Sequence, residues 1–542
     1  MIQLKERRFL ISRIMKIFIR FTSLSDKNET FRELFNDEKE DLEVSCKKWL
    51  KNVDRIIALS FKKIRIRKNK INQNIEEMLQ KKENIKAKMA VIENDEDNEK
   101  YEELNKELEE IIEQVSQSCS DKNKQVVEEF IGNSDFGLDG LDQIKTWSLK
   151  KRLSPKNVIE PPAAKKDANG KLITEKSQLE NLFIETYKNR LTPNPISDDL
   201  KELKSLKKYL FLINRRLAEK ETTKDWNFKD LEKVLKNLKN NNPRDAHGHI
   251  YEIYKYAGYD LKASLLRMFN LIKKKQIYPT IFQLSNISSF YKKSGDKSDL
   301  NNERGVFNGV KIRSIIDKLI YNDIYSKVDS SMSFSNIGAR RQRNIRDHLF
   351  VINGILNDVQ QNKNKTGVDL GIYDIAKCFD KMWYAETAND LFKAGVKDDK
   401  FILIANSNME CKVAVKTPWG GVTDRIRLEK LEMQGTVLSN IKCSVQIDSI
   451  GKDCLTENKA LYKYKDCVSI PPLAMVDDVI TVSSCGTNSV SSNAIVQGKV
   501  ECKQLKLGHR KCFNMHTGKK SKYLCPTLSI HGEKMFLSEK PG

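Results

Sequence analysis

The sequence predicts an α+β fold, an antiparallel sheet with packed helices that carries a carboxylate cluster, preceded by an α-helical, partly coiled-coil N-terminal extension. Three observations lead there. Asp477-Asp478 lies between the apolar runs Ala474-Met475-Val476 and Val479-Ile480, the pattern of a β-hairpin turn. Asp374 closes an alternating, strand-like segment that starts at Val368, and residues 377–396 after it have helical composition. Far upstream, apolar residues recur at three- and four-residue spacing. A chain of 542 residues is expected to hold more than one domain.

The extension, residues 1–146, comes first. Ile71, Ile75, Met78, Ile85, Met89 and Ile92 form one amphipathic stripe, and Tyr101, Leu104, Leu108, Ile111 and Val115 form another beyond the acidic run 93–97. An antiparallel helical hairpin is the economical reading; an intermolecular coiled coil, and hence self-association, is its rival. Residues 147–224 read as linker and entry segment, with Pro161-Pro162 and the turn-forming Asp167-Ala168-Asn169-Gly170. Mixed helix and strand follow over 225–367, and the sheet with its packed helices over 368–515.

The chemistry concentrates in that sheet. Of the Asp-Asp pairs, Asp198-Asp199 and Asp398-Asp399 lie in charged, polar surroundings that suit a solvated loop or helix start. Only Asp477-Asp478 sits between strand-like runs. Two carboxylates at a turn, with a third from another strand, repel one another unless a divalent cation neutralises them. Asp374, at a strand-to-helix junction facing a cleft, is that third group. Between these sites lies Met433-Gln434-Gly435-Thr436-Val437-Leu438-Ser439-Asn440, where Gly435 lets backbone approach a ligand closely.

In order and spacing these segments resemble the reverse-transcriptase motifs of non-LTR (LINE-type) retrotransposons. Asp374 to Phe379-Asp380 matches the first motif, Gln434-Gly435 with Leu438-Ser439 the second, and Asp477-Asp478 the third. Lys503 to Cys512 resembles the fourth, with Lys511 in it; Ser289 to Lys297 and Asn301 to Phe307 resemble the fingers segment. Leu238-Lys239-Asn240-Asn241-Asn242-Pro243-Arg244-Asp245-Ala246-His247-Gly248 resembles the opening of the domain. The sequence departs from the common pattern at Asn440, where Pro is frequent, at Met475-Val476, and at Glu303, where Tyr usually precedes the arginine.

The resemblance implies a right-hand polymerase with fingers over 225–367, palm over 368–515, and the start of a thumb connection over 516–542. It implies an RNA-directed DNA polymerase that joins dNTPs to a primer 3′-hydroxyl on an RNA template, with a DNA primer or target. Two Mg2+ ions, or Mn2+ in their place, would be held by Asp374, Asp477 and Asp478. Lys293 and Arg304 would meet the triphosphate, with Lys292 as the other lysine in register, and Gln434 and Gly435 would position nucleotide and template. Phe379 would lie under the sugar and clash with a ribose 2′-hydroxyl, although beside Cys378 and Met382 it also reads as plain core. Asp380 and Asp478 equally read as solvated ends of elements. Lys511 would protonate the leaving pyrophosphate.

Composition agrees with a nucleic-acid partner. Lys and Arg number 96 against 74 Asp and Glu, a formal charge of +22, which favours phosphate backbones through counterion release. The basic residues cluster at 61–70 and at Arg340, Arg341, Arg343 and Arg346, the latter expected to grip template backbone. Apolar runs are short and broken by Lys or Arg, and no secretory signal is legible, so no membrane partner is expected. The 11 cysteines lack a regular framework, which suits an intracellular, reducing compartment, nucleus or cytoplasm. His509, Cys512, His516 and Cys525 form the one cluster with conceivable metal spacing, but zinc is not expected there, because Lys503 to Cys512 resembles the fourth motif, which needs no metal. No endonuclease motif is legible, and the segment after Thr517 is short for a thumb. A truncated element at both ends, one that only binds nucleic acid, is therefore the alternative expectation, and a coiled-coil interaction protein the third.

Overall fold

The computed structural model describes residues 21–60 apart from 27 and 38, then 165–191, 206–214 and 223–538 with short interruptions, plus isolated residues between 103 and 113. The chain divides into two compact units, Met1–Ser60 with Pro161–Gly542, and Phe61–Glu160. Both predicted heptad stripes, apart from those isolated helical residues, lie outside the described residues, as do the basic run 61–70 and Asp198-Asp199.

In the first unit, helix α1 (Glu29–Glu33) starts at Asn28, whose side chain accepts from the Phe31 amide. Helix α2 (Leu42–Ser60) buries Leu42, Cys46, Trp49, Val53 and Ile56, an i, i+3/i+4 stripe. The turn read at Asp167 to Gly170 is formed: it joins β1 (Lys165–Lys166) to β2 (Leu172–Ile173), with Gly170 at φ +80°. Then follow α3 (Lys176–Arg190), α4 (Phe228–Lys236), α5 (Tyr251–Lys255) and α6 (Tyr259–Lys275). The 21–60 segment is fastened to α5 and α6: Trp49 Nε1 donates to Ser264 Oγ at 2.8 Å, its ring stacks on Tyr254, and Arg32 meets Asp260 at 2.8 Å. Burying an indole and several aliphatic side chains this way contributes roughly 1.5–3 kcal/mol per residue.

Strands β3 (Leu284–Tyr291) and β4 (Glu303–Gly309) precede α7 (Lys311–Ser331), α8 (Ile345–Gln361) and β5 (Gly367–Asp374). Next come α9 (Cys378–Lys381), α10 (Tyr384–Lys393), α11 (Lys400–Ala405), β6 (Lys412–Val415) and β7 (Ile426–Arg427). The chain continues through α12 (Ser439–Glu457), a small hairpin of β8 (Lys463–Tyr464) and β9 (Val468–Ser469), β10 (Leu473–Met475), β11 (Asp478–Ser484), α13 (Thr487–Cys502) and β12 (Phe513–Gly518). A last hairpin, β13 (Ser529–Ile530) with β14 (Glu533–Lys534), precedes β15 (Phe536–Ser538).

Two sheets organise the unit, which is α+β. One has five strands in the order β10-β11-β5-β12-β15, antiparallel except for the β12–β15 pair. The other has four, β4-β3-β6-β7, so that residues 412–427 join the strands of 284–309 rather than their sequence neighbours. Side chains alternate across β5. Tyr373 faces α12 and α13 in a core with Cys443, Ile447, Val496 and Val500, whereas Val368 and Leu370 face α8 through Ile355 and Val359. Asp374 lies on the α8 side but at the far end of the strand. Alternation thus leaves it at the uncovered end of a sheet whose remainder is packed.

Asp398-Asp399 departs from the expectation of a solvated pair. It does precede a helix, but both residues are buried: Asp399 accepts from Thr223 Oγ1 at 2.8 Å and Asp398 meets Lys327 at 3.0 Å, with buried Lys400 between them. Two ammonium groups, of Lys327 and Lys400, and the Thr223 hydroxyl replace the water that the polar local sequence suggested.

Candidate active site

The β10–β11 hairpin turns through only Val476 and Asp477, because Met475 and Asp478 are already paired. Val476 sits at φ +60°, a left-handed conformation that a β-branched residue adopts at a cost of roughly 1–3 kcal/mol. A two-residue turn of this kind places Asp477 at its tip. Asp478 is directly opposite Asp374 across the β11–β5 ladder, and the Ile375 amide donates to the Asp477 carbonyl at 3.3 Å. Three carboxylates from distant sequence positions are thereby gathered at one end of the sheet.

Their electrostatics follow from the crowding. Burial, reinforced by Asp374, pushes the Asp477 carboxyl above the ordinary carboxylate value, while Lys511 and Arg304 pull it back. Asp478 is raised by burial and then by Asp477 and Asp374. Lys511 Nζ lies 2.9 Å from Asp374 Oδ1. The segment that carries Lys511 is laid along Asp374 by backbone bonds: Ala376 N to Lys506 O and Gly508 N to Asp374 O, both 2.8 Å.

The hairpin is also held from outside. Residues 335–337 run beside β10, with Ala474 N donating to Ser335 O at 3.0 Å and Ile337 N to Ala474 O at 2.9 Å. Asn336 ties the segment to Ser444 O. A Cβ on Gly338 would stand 2.6 Å from the Val476 amide and 2.7 Å from Ser444 Oγ. Gly338→Ala is therefore expected to shift the Asp477 turn and to lower stability by about 1–3 kcal/mol; a denaturant midpoint equal to that of the parent would contradict it.

A basic group faces this end of the sheet. Arg304 and Val306 occupy the exposed positions of β4, between the buried Glu303, Gly305 and Phe307. Gly435, at φ +96°, lies over the same strand: a Cβ there would be 3.4 Å from Phe307 O and 3.8 Å from Val306 Cγ1. Of the two exposed lysines that follow β3, Lys292 is the one tied back to the protein, its Nζ donating to Asn301 O at 3.0 Å. Burial and the fields of Arg190, Lys377 and Arg304 depress its pKa, with Asp380 opposing them. Lys293 is exposed in the left-handed region, φ +61°. Asp380 is not a solvated end: burial raises its carboxyl, and Arg190, Lys377, Lys292 and Lys381 counter the effect. Phe379, half-buried, packs against the core beneath the carboxylates.

Arg190 and Lys377 were not singled out from sequence. Arg190 ends α3, far upstream, and Lys377 is one of many lysines, set apart only by φ +52°; neither has a local signal. Gln434 lies outside the described residues. The arginine cluster divides. Arg340 is spent inside the protein, on Asp329 at 2.8 Å and on the Ser333 and Asn336 carbonyls. Arg341 stacks over Tyr325 at 4.4 Å, and Arg343 and Arg346 are exposed.

Oxygen ligands alone converge at the carboxylates, and among the described residues no group of three or more His, Cys, Asp or Glu forms a ready-made metal cage. The arrangement is open, which fits Mg2+, an ion that keeps waters and takes one or two protein carboxylates. The spacing of Cys512 and His516 does not make a zinc site. They lie four positions apart in extended chain, roughly 13 Å: Cys512, just before β12, packs beside Asp374, and on β12 His516 Nδ1 meets Asp369 Oδ1 at 2.7 Å; His509 and Cys525 lie outside the described residues. Among the described residues, no helix is long and apolar enough to cross a membrane.

No family model and no curated protein matches the chain. Among solved structures it is similar to apo telomerase from Candida tropicalis truncated from its C-terminal domain, at TM-score 0.34 and 14% identity, over 47% of this chain and 54% of that one. It is also similar to telomerase from Candida albicans with a TWJ fragment of telomeric RNA, at TM-score 0.34 and 11% identity, over 47% and 45%. The corresponding Candida tropicalis complex gives TM-score 0.33 and 14% identity, over 43% and 41%. The chain spans about half the length of these proteins or less.

Proposed function

We propose that the chain is an RNA-directed DNA polymerase of the non-LTR retrotransposon kind, which extends a DNA primer on an RNA template with deoxynucleoside triphosphates. The observation that carries this reading is the register of Asp374 against Asp478 with Asp477 at the adjoining turn. Carboxylates whose burial, and then crowding, pushes two of them above the ordinary carboxylate value are suited to dication binding rather than to stabilising the fold. Two Mg2+ ions, when bound by Asp374, Asp477 and Asp478, would clamp the attacking and leaving oxygens of nucleotidyl transfer.

The chain's other residues divide the remaining tasks. Arg304 and Lys292, with Lys293 at the turn, hold the triphosphate, and Gly435 admits the nucleotide against β4. Lys511, which contacts Asp374, donates a proton to the departing pyrophosphate. Arg341, Arg343 and Arg346 take the template backbone, while Arg340 fixes the loop that presents them. Phe379 excludes the ribose 2′-hydroxyl, so Phe379→Val is expected to raise ribonucleotide incorporation relative to deoxynucleotide in single-turnover extension. An unchanged ratio would return Phe379 to a packing role.

The test of the function is primer extension on an RNA template with deoxynucleotides and Mg2+. Product from the parent chain, formed about 10²–10³-fold more slowly by Asp477→Asn, is the expected result. RNA binding without extension by either protein would overturn the polymerase reading.

A further inference from the structure

Helix α8 buries His348, Ile355 and Val359 but turns Ile345, Leu349 and Phe350 outward, Phe350 at 80% exposure. Phe334, 65% exposed, lines the same cleft as Phe350. Together with Arg343, Arg346, Val351 and Leu473 they line a cleft of about 490 Å³. Water is a poor environment for two phenyl rings, whose burial is worth roughly 1.5–3 kcal/mol each. The charge around them is one-sided, since Asp347, 4.0 Å from Arg343, is the only carboxylate on the lining.

The cleft is tied to the carboxylates. Leu473, on its wall, is the first residue of β10, two positions before Met475 and roughly 7 Å along the strand. Residues 335–337, which follow Phe334, are hydrogen-bonded to that same strand, and buried His348 donates through Nε2 to the Ser335 carbonyl at 2.8 Å, fixing α8 beside it. A strand entering the active end of the sheet would thus pass the two rings within a few base steps, at about 3.4 Å each.

We infer that this cleft binds single-stranded nucleic acid, with unpaired bases stacked on Phe334 and Phe350 and phosphates on Arg343 and Arg346. A duplex presents phosphates outward and keeps its bases stacked on each other, so it has no use for exposed rings; an unpaired strand has. The inference rests on the reading that a nucleic-acid strand is handled at Asp374, Asp477 and Asp478, and it names the strand's path on the near side of that site.

The test is equilibrium anisotropy of the full chain with a fluorescein-labelled oligouridine and with a labelled hairpin duplex, without metal or nucleotide. Both rings are exposed, so Phe334→Ala/Phe350→Ala is expected to keep the parent's unfolding midpoint. It should weaken oligouridine binding about 5- to 100-fold while leaving the duplex within two-fold or so. Arg346→Gln should instead reduce the salt slope for oligouridine by about 0.7. Equal losses for both probes, or no loss for either, would overturn the inference. So would self-association of the parent in sedimentation that the double variant abolishes, since the rings would then cover a second copy. A chain that binds oligouridine through the rings yet never extends a primer would sink the polymerase reading and not this one.

Discussion

Asp477→Asn is expected to slow primer extension by about 10²–10³-fold and, at the same time, to make the metal-free chain more stable. The first effect is the usual scale for removing one group that stabilises transition-state charge. The second follows from the sign of its pKa. Burial and Asp374 hold the Asp477 carboxyl above its ordinary value of 3.8 in the folded chain. The folded state therefore retains a proton that the unfolded state has released, and stability falls as pH rises from the unfolded value through the elevated folded one. Asp478 adds to the same trend. The amide of Asn carries no charge to desolvate, so the penalty disappears at neutral pH. Guanidinium titrations without metal, at several pH values, measure this directly. Mg2+ at about a hundred times its Kd should restore roughly 2.7 kcal/mol to the parent by mass action, and less to the variant. A variant that is less stable than the parent at neutral pH, or that extends primers at the parent's rate, would contradict the account.

Lys165→Met is expected to cost about 3–5 kcal/mol of stability, the scale for stranding one member of a buried ion pair. The Lys165 side chain is 0% exposed and that of Glu303 2%, and they are joined directly; Lys165 Nζ also donates to Lys297 O at 3.1 Å. Glu303 accepts from Ser289, and Ser289 meets Tyr187 at 2.7 Å, whose ring lies under the Arg190 guanidinium at 4.6 Å. Removing the ammonium leaves a buried carboxylate next to Arg304, at the start of β4. The variant should therefore raise the KM for nucleotide as well as lower the denaturant midpoint. Adding Glu303→Met should recover most of the loss, because an apolar pair of similar volume needs no desolvated charges. A double-mutant cycle decides it: additive effects, or a single-variant cost below about 1 kcal/mol, would mean the pair is not coupled.

The fold class, the carboxylate turn and the strand that faces it were legible because their signals are local. Alternating apolar residues ending in Asp374, and a carboxylate pair between two short apolar runs, each specify a strand end from a handful of neighbours. Gly435 and the turn at Asp167 to Gly170 were legible for the same reason, since a left-handed backbone favours glycine. Lys165 opposite Glu303, Arg190 and Lys377 around Asp380, Gly338 beneath Val476, and the burial of Asp398 and Asp399 are pairings across many residues. Nothing in the flanking sequence of a lysine or an aspartate distinguishes a solvated charge from one that folding will enclose, because the partner comes from another element and the compensation exists only once both are packed. The division of the arginine cluster has the same origin: Arg340 and Arg346 are alike in sequence, and only the position of Asp329 and the turn of α8 send one guanidinium inward and leave the other exposed.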